Sequence, residues 1–356
     1  MRKHTSAVGG RERLSGMKRL LSRIVALGIA GLCGVQLAYG QGQGYPAKPI
    51  RVIIPYVAGG VLDLLMRSLD QVVSDSIGQP VFIENRPGAS SQISLSACAK
   101  SAPDGYTICT TSGEGMSFGP IFFPNLPYDP DRDFIPITNL VWINGVIAAN
   151  GSMPFNNMKE MIDYAKAKPG ALNWGSFGVA STPHVYLEWI KHQAGVNITH
   201  VPYKGVAQVF PAMIAGEIQA AYYAMGIVLP QVRSGKVKVL AVTTPQRSPY
   251  LPTIPTLAEQ GLDPGISAWF GLFAPARTPA TIIDRLHAEF VKALHNPNFQ
   301  EKFLKVQAYD AVGNSPAEFA EFIKTDRAFA SRIVKITGIR PDSAETPAPA
   351  SPRPAN

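Results

Sequence analysis

The sequence predicts an α/β protein with two lobes, and three observations lead to that prediction. Short apolar runs alternate with amphipathic segments from Ile50 onward, the order expected of mixed, mostly parallel sheets flanked by helices. The alternation comes in two blocks, one on each side of a Pro-rich stretch at residues 120–136. Without an N-terminal targeting segment of 40 residues the chain has 356 − 40 = 316 residues, which is more than one compact core usually holds.

Local patterns place the elements of both blocks. An apolar run over residues 50–54 predicts a buried strand, and apolar residues at helical spacing predict a helix over 62–77 that Gly78 ends. The same reasoning predicts strands over 81–84, 106–110, 173–175, 198–201, 220–224 and 237–242. It predicts helices over 91–100, 158–168, 183–193, 207–215, 281–294 and 317–336.

The chain is expected to pass between the lobes twice, which makes the first lobe discontinuous. Crossings near residues 140–149 and 267–273 assign 41–144 together with 268–340 to lobe 1 and 145–267 to lobe 2. Two crossings form a hinge about which the lobes close.

The two ends of the chain differ in composition from the rest. A basic patch at residues 18–23 precedes a short apolar run and a small-residue cleavage site at 38–40, the pattern of a secretory signal peptide. The apolar run is shorter than the ~20 residues that span a bilayer. We therefore expect residues 1–40 to be cleaved and the mature protein to be exported. Residues 341–356 are Pro/Ala-rich and are expected to be disordered.

Charge and cysteine content exclude some classes of function. Residues 1–40 hold seven of the 33 basic residues and one of the 25 acids, so the remainder carries 26 − 24 = +2 rather than +8. Without a basic patch, nucleic-acid binding has no electrostatic support. Cys98 and Cys109 form either a disulfide or two buried thiols, because sequence does not give their Cα separation. Two cysteines alone do not make a zinc site, and no metal or other cofactor is expected.

Three loops that follow predicted strands carry the candidate ligand-binding residues. The first loop (residues 55–63) and the second loop (176–184) each join a strand to a helix start. Free N–H groups and the helix dipole bind carboxylates and phosphates there, and ligands of open α/β sheets lie at the carboxyl ends of strands. The third loop (110–115) is polar. The candidates are Tyr56, Val57, Ala58, Gly59, Gly60, Leu62, Asp63, Ser112, Ser176, Phe177, Gly178, Ala180, Ser181, Thr182 and His184.

Each loop also has a plainer interpretation. The first loop could be a tight turn whose Asp63 favours the helix dipole, Ser181 a simple N-cap, and His184 a core histidine. Glu114 in the third loop does not suit an anion site, so either it faces solvent or it pairs with a cationic group of the ligand.

At these loops the sequence resembles the periplasmic solute receptors of tripartite tricarboxylate transporters, often called Bug receptors. The resemblance extends over residues 45–340, and the order of its short motifs is specific. The motifs include Ala58-Gly59-Gly60-x-x-Asp63-x-x-x-Arg67, Glu84-Asn85-Arg86-Pro87-Gly88-Ala89, Pro103-Asp104-Gly105-Tyr106-Thr107, Val201-Pro202-Tyr203-Lys204-Gly205 and Pro255-Thr256-Leu257-Ala258-Glu259-Gln260-Gly261.

This resemblance implies a Venus-flytrap fold of the periplasmic-binding-protein kind, type II-like. It implies that the loops matching residues 55–63 and 176–184 hold the carboxylate of a small organic acid. It further implies that the closed form, as a monomer, delivers the acid to a membrane permease of the tripartite tricarboxylate type. Ligands of the family include citrate, dicarboxylates, acidic amino acids, nicotinate and terephthalate.

Two departures from the family pattern bear on the ligand. Leu62 and Phe177 stand where the family often has small or hydroxyl residues, which removes polar contacts and adds apolar bulk. These departures favour an aromatic acid, such as a terephthalate- or nicotinate-like compound.

Two other functions would use the same cleft. A sensor that feeds a signalling partner would have an identical pocket. A secreted enzyme would need an oriented acid and base, and Asp63 with His184 is the one plausible pair. No nucleophile elbow, His-Glu-x-x-His or phosphate-binding loop occurs in the sequence, so no enzymatic activity is expected.

Overall fold

The computed structural model describes residues 44–262 and 265–339. The predicted signal peptide (1–40) and the predicted disordered tail (341–356) lie outside the described residues. The described residues before Lys48 belong to one unit, in which the Tyr45–Pro46 peptide bond is cis. The described residues from Lys48 onward belong to the second unit, which contains all the helices and strands given below.

Strands and helices alternate through the described ranges. The strands are β1 (Ile50–Ile54), β2 (Val81–Asn85), β3 (Thr107–Thr111), β4 (Phe134–Ile143), β5 (Gly145–Asn150), β6 (Asn173–Ser176), β7 (Thr199–Pro202), β8 (Ala220–Ala224), β9 (Val237–Val242), β10 (Trp269–Pro275) and β11 (Tyr309–Ala311). The α-helices are α1 (Val61–Ile77), α2 (Gln92–Ala99), α3 (Gly119–Phe122), α4 (Met158–Ala167), α5 (Thr182–Ala194), α6 (Val206–Ala215), α7 (Met225–Arg233), α8 (Ala280–Leu294), α9 (Pro297–Phe299), α10 (Lys305–Gln307) and α11 (Pro316–Thr337). π-Helical turns occupy Glu114–Phe118 and Gln300–Leu304.

The strands form two mixed sheets. The first has the order β11-β4-β10-β3-β1-β2, and the second has the order β7-β6-β8-β5-β9. In the first sheet β1 pairs in parallel with β2 and β3, while β10 lies antiparallel between β3 and β4. In the second sheet β6 is parallel to both β7 and β8, while β5 is antiparallel to β8 and β9. Most strands of each sheet therefore run one way, and the two-lobed α/β fold predicted from the sequence is confirmed.

Every predicted strand and helix is present, with bounds that differ by at most one residue at each end. The pattern did not predict β4, β5, β10 or β11, nor the helices α3, α7, α9 and α10. Strand β4 begins inside the Pro-rich stretch, and Pro136 lies opposite Phe273 where the ladder with β10 shifts register. A proline that donates no ladder hydrogen bond is tolerated at such an irregularity. For this reason a stretch that looked like a connection forms a strand.

The chain crosses between the sheets at two adjacent points. Asn144 alone separates β4 from β5, and the Ile143 N–H donates to the Ala268 carbonyl (2.8 Å) just before β10. The Thr243 N–H, just after β9, donates to the Gly145 carbonyl (2.9 Å). All strands of the first sheet fall in residues 41–144 and 268–340, and those of the second in 145–267. We keep these ranges as the proposed lobe boundaries.

The last helix, α11, packs on both sheets' cores. Phe319 and Ile323 belong to a core cluster with Trp269 and Phe273 of the first sheet. Further along the helix, Ala330 and Ile333 belong to the cluster around Trp174 and α5 in the second lobe. The helix therefore connects the two lobes independently of the crossing strands.

Cys98 and Cys109 form a disulfide in the interior of lobe 1. Their Cα atoms are 6.1 Å apart, and both side chains are fully buried. The bridge fastens α2 to β3, and the alternative of two buried thiols does not apply.

Candidate functional site

The carboxyl ends of the parallel strands lie at the edges of the sheets that adjoin the crossings. In the first sheet β1, β2, β3 and β4 run in one direction, and β4 ends next to Asn144. In the second sheet β6 to β9 run in one direction, and Ala224 at the end of β8 pairs with Gly145. The first and third loops follow β1 and β3, and the second loop follows β6. All three loops therefore lie at the hinge side of their sheets, as expected for ligand sites in open α/β sheets.

Asp63 holds the first loop in shape. Its side chain is 1 % exposed and accepts hydrogen bonds from the Gly59 N–H (2.9 Å), Asn85 Nδ2 (2.9 Å) and Arg67 Nε (3.0 Å). Asn85 also donates to the Tyr56 carbonyl (2.9 Å). Burial by itself would raise the pKa of Asp63, but these hydrogen bonds and the Arg67 charge hold the pKa below its ordinary value. The carboxylate is ionised, and Arg67 balances its charge.

The start of α1 leaves backbone donors available. Gly60 is the N-cap residue and has an extended backbone. The Leu64 N–H donates to its carbonyl (2.9 Å). Among the described residues, the N–H groups of Val61, Leu62 and Asp63 have no protein acceptor, as expected for a first helical turn. These donors and the helix dipole favour an anion.

The second loop is held by two serines and its own backbone. Ser176 Oγ accepts from the Gly178 N–H (3.1 Å), and Ser181 Oγ donates to the Gly178 carbonyl (2.6 Å). Ser181 occupies the N-cap position of α5, as predicted, but its side chain makes no capping hydrogen bond. The Ser181 hydroxyl is bonded to the Gly178 carbonyl instead of capping the helix. Among the described residues the N–H groups of Thr182 and His184 have no protein acceptor.

Two stacked histidines lie beneath the second loop. The rings of His184 and His200 are 4.3 Å apart and nearly parallel, and His200 Nε2 is 2.6 Å from Ser176 Oγ. His184 Nδ1 accepts from the Ala180 N–H (3.3 Å), so this ring nitrogen carries no proton. Burial, followed by the neighbouring His200 charge, lowers the pKa of His184 to about 3. Burial and Lys191 lower the pKa of His200 to about 4. Both rings are neutral at neutral pH.

The third loop meets the first through Tyr56. The Tyr56 hydroxyl donates to Glu114 Oε2 (2.9 Å) and lies 3.0 Å from Ser112 Oγ. Glu114 is 8 % exposed, and its own N–H donates to Ser112 Oγ (3.2 Å). Burial raises the pKa of Glu114 to about 7, although the Tyr56 hydrogen bond opposes the shift. The interpretation in which Glu114 faces solvent is therefore wrong.

The loops of the two lobes touch. Ser90 Oγ of lobe 1 donates to the Val179 carbonyl of the second loop (3.3 Å). The rings of Phe122 and His184 are 6.2 Å apart, and Phe118 shares a buried cluster with Ala180. The two anion-favouring helix starts thus belong to lobes that are in contact at this edge.

Comparison with known proteins identifies the family. The sequence model described as "Tripartite tricarboxylate transporter family receptor" matches residues 65–339. The chain belongs to this receptor family. A UPF0065 protein of Bordetella pertussis is 34% identical over 298 residues, which cover 83% of this chain and 92% of that protein. BugT of Bordetella pertussis is 31% identical over 327 residues, which cover 91% of this chain and 99% of BugT.

Solved structures of periplasmic binding proteins share the fold of this receptor. BugD matches with a TM-score of 0.77 at 30% identity, over 83% of this chain and 99% of BugD. An R. palustris protein solved with adipate matches with a TM-score of 0.78 at 29% identity, over 83% of this chain and 99% of that one. MatC of Rhodopseudomonas palustris, solved with bound malate, matches with a TM-score of 0.75 at 27% identity, over 82% of this chain and 100% of MatC.

The predicted site residues of this receptor fall into two groups. Exposed or half-buried at the loop surfaces are Tyr56, Val57, Ala58, Gly59, Ser112, Phe177, Gly178 and Thr182. Buried beneath them are Gly60, Leu62, Asp63, Ser176, Ala180, Ser181 and His184. Asp63 and His184, the one pair considered for acid–base chemistry, lie in different lobes and are each bonded within their own loop.

Two residues that contact these loops were not among the predicted ligand-binding residues. Glu114 follows a predicted strand, and this position is the local sign that indicates a place near a ligand. His200 was missed because its contact with Ser176 depends on the pairing of β6 with β7, in which Trp174 lies opposite His200. No local pattern in the sequence indicates that pairing.

Other features of the receptor lie apart from the loops. Cavities of about 580 and 470 Å³ lie beside the Pro-rich stretch near Arg327 and between α1 and α8. The described residues contain no group of three or more His, Cys, Asp or Glu side chains that could hold a metal ion. Within the same ranges, no helix has both the length and the apolar composition needed to cross a membrane.

Proposed function

We propose that the protein is a periplasmic solute-binding protein that captures a small organic carboxylate between its lobes and delivers it to a permease of the tripartite tricarboxylate type. The observation that carries this proposal is that each lobe has a helix start with unbonded N–H groups at its hinge side, where loops of the two lobes are in contact. The adipate and malate bound by two similar receptors support the carboxylate class. Membership of the receptor family supports the permease partner.

The proposed contacts follow from the available donors. A carboxylate oxygen would accept from the N–H groups of Val61 and Leu62 on one side and of Thr182 and His184 on the other. The loops that shape the cleft are those named from the sequence. The proposed ligand-binding residues are Tyr56, Val57, Ala58, Gly59, Gly60, Leu62, Asp63, Ser112, Ser176, Phe177, Gly178, Ala180, Ser181, Thr182 and His184. Asp63 acts through the loop shape, because its carboxylate oxygens are taken by Gly59, Asn85 and Arg67.

Closure and delivery require no cofactor and no catalysis. A ligand held by both loops binds the closed lobes better than the open ones and so shifts the population towards closure. We propose that the closed monomer is the form that the permease recognises. Export would proceed through cleavage of residues 1–40, so N-terminal sequencing of the secreted protein should begin near Gln41.

The preference for an aromatic acid rests on Leu62 and Phe177. Leu62 is fully buried in lobe 1, and Phe177 is half-buried against the core of lobe 2. Leu62 therefore offers no apolar face at the loop surface, whereas half-buried Phe177 keeps part of its ring there, and Phe177 is the residue that supports an aromatic ligand. Terephthalate and nicotinate belong in the ligand screen as representatives of this class.

A thermal-shift screen followed by titration calorimetry tests the proposal. The compounds are malate, adipate, citrate, aspartate, nicotinate and terephthalate, each with the secreted form of the protein. A ligand that binds the folded state raises the melting temperature by mass action. No shift with any carboxylate would contradict the proposed function.

A backbone variant locates the site. Val61 is the first residue of α1, where proline is tolerated, and Gly60 before it is already extended. Val61→Pro removes one free N–H group and should weaken carboxylate binding about 10-fold or more, since a hydrogen bond to a charged group contributes about 1.5–3 kcal/mol. Ala280→Pro, at the first residue of α8, is the matched control and should leave affinity unchanged. Equal affinities of the two variants would exclude the α1 start as the carboxylate site.

A further inference from the structure

Glu114 is a buried acid without a cationic partner. Among the described residues no Lys, Arg or His forms an ion pair with its carboxylate, which accepts a hydrogen bond from Tyr56. Thr110 Oγ1 and Thr111 Oγ1, on the preceding strand β3, are fully buried and have no protein partner in the same part of the chain. A buried carboxylate is costly unless a cation or donors compensate it. Among the described residues no cation lies against Glu114, and burial raises its pKa to about 7, so a cationic group of a ligand is the partner that would favour its ionised form.

The neighbouring charges do not compensate Glu114. Asp326 adds a second buried acid, whose Oδ2 would lie 3.3 Å from a Cβ placed on Gly113. Arg327 donates to the Met116 carbonyl (3.0 Å) and forms an ion pair with Asp131 on the surface. Arg67, in α1, is bound to Asp63. Neither arginine forms an ion pair with Glu114 among the described residues.

We infer that the ligand carries a cationic nitrogen in addition to its carboxylate, and that Glu114 binds this nitrogen. The inference rests on the proposed function, since it names the ligand class of the same cleft. Tyr56 belongs to the first loop and its hydroxyl reaches Glu114 (2.9 Å), so one tyrosine side chain links the two subsites. The helix starts receive the carboxylate, and Glu114, Ser112 and Tyr56 surround the nitrogen. The ligand class is a small zwitterion of the amino-acid or betaine kind.

A diacid is the competing ligand class at this position. Its second carboxylate would lie beside Glu114 and be repelled unless one of the two acids is protonated. The two classes therefore respond in opposite directions to the ionisation of Glu114. Affinity for a zwitterion rises as Glu114 loses its proton, whereas affinity for a diacid falls.

The pH range of this response is set by the ionisation of Glu114. The pKa of Glu114 is about 7, so its charge changes between pH 6 and 8. Burial raises the pKa values of Tyr56, Tyr128 and Asp326, which face the third loop from the first loop, the Pro-rich stretch and α11. Across the cleft His184, with a pKa of about 3, is neutral throughout. Comparison of the wild type with Glu114→Gln separates the effect of Glu114 on the pH dependence of affinity from the effect of Asp326.

Calorimetric titration with matched pairs of compounds tests the inference. Each pair shares a shape and differs in the cationic nitrogen: glycine betaine with 3,3-dimethylbutanoate, aspartate with succinate, and 4-(aminomethyl)benzoate with 4-ethylbenzoate. At pH 8 the cationic member of at least one pair should bind about 10-fold or more tightly than its partner. Glu114→Gln keeps an acceptor for Tyr56 and should remove that advantage together with the rise from pH 6 to 8. Glu321→Gln, an exposed acid on α11, is the control and should change neither.

The outcomes distinguish this inference from the proposed function. Tight binding of malate, adipate or succinate with no gain from a cationic nitrogen would overturn the inference and leave the proposed function standing. Unchanged zwitterion affinity in Glu114→Gln would also overturn it. If no compound of either kind binds, both the inference and the proposed function fail.

Discussion

Replacement of Asp63 by asparagine tests whether the acid holds the first loop. Three donors converge on its carboxylate: the Gly59 N–H, Asn85 Nδ2 and Arg67 Nε. An asparagine keeps one acceptor oxygen and turns an NH₂ group towards these donors. The substitution therefore leaves at least one buried donor unsatisfied and removes the charge that balances Arg67.

The expected cost follows from the burial of each donor. An unsatisfied buried donor costs about 1–3 kcal/mol. Arg67 is 47% exposed, so water can hydrate its guanidinium when the carboxylate is removed. The loss of this ion pair therefore costs about 0–1 kcal/mol. Asp63→Asn should therefore lower the free energy of unfolding by about 1–4 kcal/mol at pH 7. Because the Gly59 N–H loses the carboxylate that holds it, the shape of the first loop should change and the affinity for the carboxylate ligand should fall as well.

The effect has a defined pH dependence. The pKa of Asp63 in the folded protein is lower than its ordinary value of 3.8, so its stabilisation is present above pH 3.8 and is lost as pH falls through the folded value. The difference between the wild type and Asp63→Asn should be constant from pH 8 to about 5 and shrink below pH 3.8. Urea unfolding at a series of pH values measures it.

The control is an exposed acid that also forms an i,i+4 ion pair with a basic residue. Asp163 pairs with Lys159 at the same i,i+4 spacing, but both side chains are more than half exposed. Asp163→Asn should leave the free energy of unfolding unchanged within error. If Asp63→Asn costs no more than this control, the acid does not hold the loop and the reasoning is refuted.

Three further substitutions test other parts of the structure. Cys98→Ala with Cys109→Ala should lower the free energy of unfolding by about 3 kcal/mol, because the disulfide closes a sequence separation of 11 residues; urea unfolding checks this. Gly145→Ala places a Cβ 2.3 Å from the Tyr222 ring beside the crossing, so overpacking of about 1–3 kcal/mol should lower the melting temperature. Between pH 6.5 and 4 the unfolded chain binds a proton at His200 that the folded protein does not bind, so the wild type loses stability as the pH falls. His200→Gln should remove this contribution, which is about 1.4 kcal/mol per pH unit.

Each of these predictions has its own control. Dithiothreitol should destabilise the wild type and leave the double alanine variant unchanged. Gly205→Ala adds a Cβ with nothing within 4 Å, so it should be tolerated where Gly145→Ala is not. His192 is exposed on α5, and His192→Gln should not alter the acid response. Equal behaviour of a variant and its control would contradict the corresponding argument.

Local patterns were sufficient for the elements that hold the loops. The helical spacing over residues 62–77, the buried run before Pro55 and the helix-ending Gly78 each depend on residues a few positions apart. Such patterns are set by periodicity and by the conformations that glycine and proline permit. They place a helix start after a strand end, and this was enough to indicate two anion-favouring loops.

The sequence by itself determined the α/β class, the two blocks and the loops that follow β1, β3 and β6. Tertiary structure decided the rest, because contacts between distant residues depend on strand order. The insertion of β10 between β3 and β4, the 6.1 Å approach of Cys98 and Cys109, and the stack of His184 on His200 are all such contacts. The bond from Tyr56 to Glu114 joins two loops 58 positions apart through the pairing of β1 with β3. Periodicity reports which face of an element is buried, and only the assembled sheets determine which side chains meet there.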